Sequence, residues 1–75
     1  MAPPPSPRRV NIPPLHELRF ELEKGEACSI KLVNGSAEIF GFDLLPYIEH
    51  PLGDEVRAAV FSWTGAEVEM SLLPF

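Results

Sequence analysis

The chain has 75 residues, nine of them proline, with six Lys and Arg against eleven Asp and Glu, for a formal charge of −5. That length allows one small domain near the lower limit of a self-sufficient core. The charge argues against a free-standing nucleic-acid binder, which needs clustered Lys and Arg. The lone Cys28 excludes an internal disulfide and any multi-cysteine zinc site, and reads as a small buried apolar residue.

Six prolines precede Leu15, four of them within the first seven residues. Residues 1–9, MAPPPSPRR, are expected to form a disordered or polyproline II arm, because proline removes donors and breaks helices. The arm contains Pro4-x-x-Pro7-x-Arg9, the pattern of a ligand for an SH3-type groove, and Ser6-Pro7, a site for proline-directed phosphorylation. The N-terminus lacks the apolar core of a signal peptide, and no apolar run nears the ~20 residues that span a bilayer. A cytoplasmic or nuclear address is the default, with no membrane partner.

Residues 10–12 suit a short edge strand closed by Pro13-Pro14. Residues 16–23, HELRFELE, alternate Leu18, Phe20 and Leu22 with charged residues, which is the period of a half-buried strand. Lys24-Gly25-Glu26 is a turn. Residues 27–33 alternate again, with Cys28, Ile30 and Leu32 on one face and Ser29, Lys31 and Val33 on the other. Asn34-Gly35 is the strongest hairpin signal, since a type I′ turn needs positive φ at both central residues. It is expected to reverse the chain into a strand over residues 36–40.

Beyond Gly41 the pattern weakens. Residues 42–45 read as one more strand and 46–54, with two prolines and Gly53-Asp54, as a loop. Residues 56–63, VRAAVFSW, are apolar on both faces and predict a central strand covered on both sides. Thr64-Gly65 turns the chain, and residues 66–72 bury Val68, Met70 and Leu72 opposite Glu67, Glu69 and Ser71. The sum is an all-β antiparallel sandwich of about six to eight short strands over residues 10–72, with a 73–75 tail.

No phosphate-binding loop, dinucleotide fingerprint or local metal-ligand cluster is present. His16 and His50 read as exposed, and Ser36 and Ser62 have no base partner legible in sequence. The chain is not expected to be an enzyme by itself.

ELRFELE (residues 17–23), NGSAEIFG (34–41) and AVFSWTG (59–65) together resemble the N-terminal β domain of the Clp polynucleotide-kinase family. In that family a strand of the form ELRFEVE, a turn into AEIFG and a strand of the form VFTWHG follow in this order, so the likeness covers about residues 17–71. It implies a nuclear protein of pre-mRNA 3′-end cleavage and polyadenylation, whose small β-sandwich precedes a P-loop domain that binds ATP and magnesium. Some members phosphorylate RNA 5′-hydroxyls. The implied partners are that P-loop domain and, through it, cleavage-factor subunits, with RNA reached only indirectly. In the family the sandwich lends a glutamate and a basic residue to the adenine end of the nucleotide site, and the matching positions are Glu17 and Arg57. The carboxylate of Glu17 suits an adenine amino group, and Arg57 keeps the charge of the family's lysine.

Two features depart from the pattern. The Pro-rich start has no family role, and the chain stops at Leu72-Leu73-Pro74-Phe75, where the family continues into its P-loop domain. A domain cut there is expected to expose an unpaired edge or an apolar face, including part of Phe61, Trp63 or Leu72-Leu73. The alternative is a stand-alone β interaction module that recruits an SH3-type partner through its arm.

Overall fold

The computed structural model of the chain describes residues 7–53 and 55–73. Eight strands run in chain order as β1 (Arg8–Ile12), β2 (His16–Glu21), β3 (Ala27–Gly35), β4 (Glu38–Ile39), β5 (Phe42–Asp43), β6 (Glu49–Leu52), β7 (Arg57–Ser62) and β8 (Ala66–Leu73). They form two four-stranded sheets, β1-β8-β3-β6 and β2-β7-β4-β5, and every named ladder is antiparallel. The order 1-8-3-6 against 2-7-4-5 is that of a jelly roll. All connections but one cross from sheet to sheet, the exception being β4–β5. The all-β sandwich expected from the alternation is therefore present, but it is not built around a β3–β4 hairpin.

The core lies between the sheets. Ile12, Ile30, Leu32, Ala37, Ile39, Leu44, Ala58, Val60, Ala66 and Val68 are buried, and Leu18, Phe20, Leu52 and Met70 pack against them. No aromatic ring is fully buried among the described residues, so the hydrophobic stabilisation comes from small aliphatic side chains at ~1.5–3 kcal/mol for each large one. Cys28 is buried as expected, and that burial pushes its thiol pKa up. Ser29, assigned to the wet face of β3, is buried as well.

Asn34-Gly35 does not close a hairpin. β3 continues through it, pairing Asn34 with Glu67 and Gly35 with Ala66 after a bulge between Leu32 and Asn34. Because β8 and β6 already flank β3, no place beside it is left for β4. The tight turn with positive φ at both central residues is instead Phe40-Gly41 (φ 52° and 78°), joining β4 to β5. Positive φ at Phe is costly, which is why the sequence pattern points elsewhere.

Other boundaries shift for equally specific reasons. Arg8 and Arg9, placed in the arm by composition, pair with Met70 and Glu69 as the first rungs of β1. Arg9 of the SH3-type motif is thereby held in a sheet and bonded to Glu69, while Pro4, and Ser6 of the Ser6-Pro7 site, lie outside the described residues. β6 falls inside the expected 46–54 loop; Pro51 is tolerated there because β6 is an edge strand. β8 runs to Leu73, into the expected tail. His50 faces the interior opposite Ile30, half-buried, with Nε2 buried and unpartnered among the described residues. β7 is central, as expected, but covered only on its inner face: Ala58, Val60 and Ser62 are buried, whereas Trp63 just beyond it is 63% exposed.

Candidate functional site

β2 and β7 pair in register over six rungs, so their outward side chains form one face of the smaller-edged sheet. On that face Glu17 stands opposite Phe61, Arg19 opposite Ala59, and Glu21 opposite Arg57. Period-two alternation dictates this: Leu18, Phe20, Ala58 and Val60 turn inward and the charged residues turn out. Glu17 and Arg57 thus share a face but lie four residues apart along the ladder, about 13 Å at the usual strand rise.

Each has a nearby partner. Arg19 Nε donates to Glu17, and Arg57 Nε donates to Glu21 Oε1 at 2.9 Å. All four groups are solvent-exposed to a large degree, so these pairs hold at about 0–1 kcal/mol and exchange readily for a ligand. A shallow open depression beside Ala59 is lined by Arg19, Phe20, Glu21, Arg57 and Ala58. Glu17 lies outside it. At the other end of the face Phe61 meets Trp63 edge to face, with ring centroids 4.9 Å apart. The face can therefore offer guanidinium groups at one end and a carboxylate beside aromatic rings at the other. It holds no nucleophile–base pair, and among the described residues no three His, Cys, Asp or Glu side chains converge as for a metal.

A second surface was not legible as such. Phe40, Phe42, Leu45, Tyr47 and Ile48 are all 49–74% exposed and lie within nine residues around the β5 edge. Phe40 and Tyr47 both adopt positive φ. The signal available was the run IFGFDLL, which lacks the polar alternation of a strand with one wet face. Trp63 is exposed as expected and Phe61 is half-buried; Leu72 is 60% exposed, as a domain edge there implies but against the alternation, which places it inward with Val68 and Met70.

Residues 11–74 match the family described as the N-terminal β-sandwich domain of polyadenylation factor. The chain belongs to that family. Among curated relatives, the mRNA cleavage and polyadenylation factor CLP1 of Mycosarcoma maydis is 48% identical over 75 residues, covering 85% of this chain. The polyribonucleotide 5′-hydroxyl-kinase Clp1 of Danio rerio is 44% identical over 55 residues, covering 73% of it. The chain spans only 12% of the length of either relative. Wild-type Clp1p in its complex with Pcf11p (454–563) superposes with a TM-score of 0.82 at 18% identity, over 89% of this chain and 15% of that one. A de novo designed double-stranded β-helix superposes at 0.73 with 19% identity, over 92% of this chain and 100% of that one, which agrees with the jelly-roll strand order. This polyadenylation-factor β-sandwich therefore corresponds to the first, small part of much longer relatives.

Proposed function

We propose that this β-sandwich is the non-catalytic N-terminal module of a nuclear mRNA 3′-end processing factor, and that it packs on an ATP-binding P-loop domain and helps cap the adenine. The observation that carries the packing is the exposed apolar stretch at Phe40, Phe42, Leu45, Tyr47 and Ile48, too large a cluster for a surface left in water. Glu38 and Asp43 face each other across β4 and β5 beside it. Like charges directly opposite destabilise a ladder, and a cationic neighbour would relieve them.

The surroundings of Glu17 suit the base end of a nucleotide. Glu17 accepts hydrogen bonds beside Phe61 and Trp63, which suits an adenine amino group and a stacked base. Arg57 stands about 13 Å along the same face, so a nucleoside contacting both lies along β7, its base toward Glu17. The triphosphate and its magnesium would be held by the P-loop domain, which supplies the phosphoryl chemistry in those relatives named as kinases. Contacts with cleavage-factor subunits would follow through that domain; that Clp1p, of the same fold, forms a complex with Pcf11p supports subunit binding as such.

The test is an ATP titration of this chain alone and then mixed with a P-loop domain made from a full-length relative, followed by Trp63 fluorescence. The proposal expects tighter ATP binding in the mixture, weakened by Glu17→Ala or Arg57→Ala. A Phe42→Ser variant should abolish association altogether. Association without any effect on ATP affinity would retain the docking and remove the cap.

A further inference from the structure

The two free edges on one side of the sandwich, β1 and β2, flank an apolar cleft on the opposite side from β5 and the exposed apolar stretch around it. It opens where β2 and β8 end and β1 and β3 begin, with a volume of about 450 Å³. Val10, Leu18, Phe20, Met70 and Leu72 line it, with Cys28 on its wall. Arg8 stands at the rim. Its rung partner is Met70, which puts it on the inward-facing register of β1, and it has no carboxylate partner among the described residues.

We propose that this cleft binds an extended peptide segment of a separate protein, with apolar side chains at alternate positions and an acidic residue on the same face. The size is that of a small-ligand pocket and takes two or three aliphatic side chains. The backbone requirement is met on both sides. β1 bonds only to β8 and β2 only to β7, so each presents outward N–H and C=O groups to a further strand. Adding a strand there is the β-augmentation mode, in which main-chain bonds give affinity and the pocket reads alternate side chains. Arg8, exposed in the free chain, then selects for a carboxylate, since a peptide laid over it would desolvate its guanidinium beside apolar walls. A polyanion such as RNA is disfavoured by the net charge of −5 and by the apolar lining.

The probe is a synthetic hexapeptide alternating Ser and Ile and closing on Ile-Ser-Glu, titrated into the full chain and followed by amide NMR shifts. Binding should move the amides of β1, β2, Met70 and Leu72, leaving those of β4 and β5 in place. The same peptide ending in Lys should bind at least fivefold more weakly. Arg8→Glu should invert that preference, with the rest of its spectrum superimposable on the parent. The Lys-ended peptide provides the charge test on the unaltered chain if that variant does not fold. Equal binding of the two peptides, shifts confined to other strands, no shift at millimolar peptide, or saturation by decanoate without peptide binding would each overturn the proposal. Concentration-dependent dimerisation that buries the same amides would overturn it in favour of a second copy.

Discussion

Gly35 and Gly65 meet at the corner where two chain crossings stack, and a Cβ built on Gly35 would lie 2.2 Å from the Gly65 carbonyl oxygen. Gly35 also holds φ at +77°. Both facts demand glycine, one by steric exclusion and the other by backbone preference. Gly35→Ala is expected to cost more than ~3 kcal/mol, because the αL penalty of about 1–2 kcal/mol adds to a backbone clash that cannot relax. Gly25→Ala is the control: φ is +85° there, but nothing lies within 4 Å of its Cβ. It should cost only the conformational part. Urea midpoints of the two variants separate the contributions.

The same corner depends on one buried hydroxyl. Ser62 is fully buried; its Oγ donates to the Ser36 carbonyl at 2.6 Å and accepts from the Gly65 N–H at 2.8 Å. One side chain thus joins the β3–β4 crossing to the β7–β8 crossing. Ser62→Ala leaves a buried donor and acceptor without partners, a loss of about 1–3 kcal/mol. Equilibrium unfolding should show that loss, and hydrogen exchange should quicken first at Gly65. An unchanged midpoint would mean that water replaces the hydroxyl.

The long strands were legible in this sequence, while β6, inside a stretch that reads as a loop, and the partnership of the strands were not. Alternation along residues 16–23 and 27–33 says which side chains turn inward, and β2 and β3 follow it except at Ser29, which is buried. It does not say whether the next strand lies beside the last one or across the core. Asn34-Gly35 carries the hairpin composition, yet its glycine serves the close approach to Gly65, a long-range requirement with no local signature. The reverse error occurred at Phe40, where an aromatic residue occupies a turn position that propensity reserves for Asn or Gly. Glu17 and Arg57 were placed by resemblance alone. Their shared face follows from period two, but their separation depends on the β2–β7 register, which only the fold reveals.

That misfit at Phe40 yields a prediction in two directions. Phe40→Asn suits positive φ and removes an exposed ring, so the isolated chain should gain about 1 kcal/mol. The ring belongs to the apolar surface proposed to meet the P-loop domain. The variant should therefore be more stable alone and bind that domain more weakly. Calorimetric unfolding and a pull-down on the same preparation test both halves. A variant that is stabilised and still docks fully would assign Phe40 no part in the interface.

The outer face of the other sheet carries an ion ladder that gives stability a pH signature. Arg9 Nη2 donates to Glu69 Oε1 at 2.7 Å, and Lys31 Nζ lies 3.3 Å from the other carboxylate oxygen. The hydrogen bond from Arg9, then that from Lys31, holds the Glu69 carboxyl below the ordinary glutamate range; the Arg9 guanidinium is raised correspondingly. The folded chain therefore releases this proton more readily than the unfolded chain. Its contribution is complete above the ordinary glutamate value of about 4.3 and is lost as the pH falls through the lowered one. Glu69→Gln should lower the urea midpoint at pH 7, and the difference should shrink as the pH is taken down below the ordinary glutamate range and the parent carboxyl takes up its proton. Salt at 1 M should shrink the pH 7 difference, because Arg9 is exposed, Glu69 and Lys31 are only partly buried, and the Debye length there is about 3 Å. A difference that persists at low pH and high salt would instead assign the role of Glu69 to packing on β8.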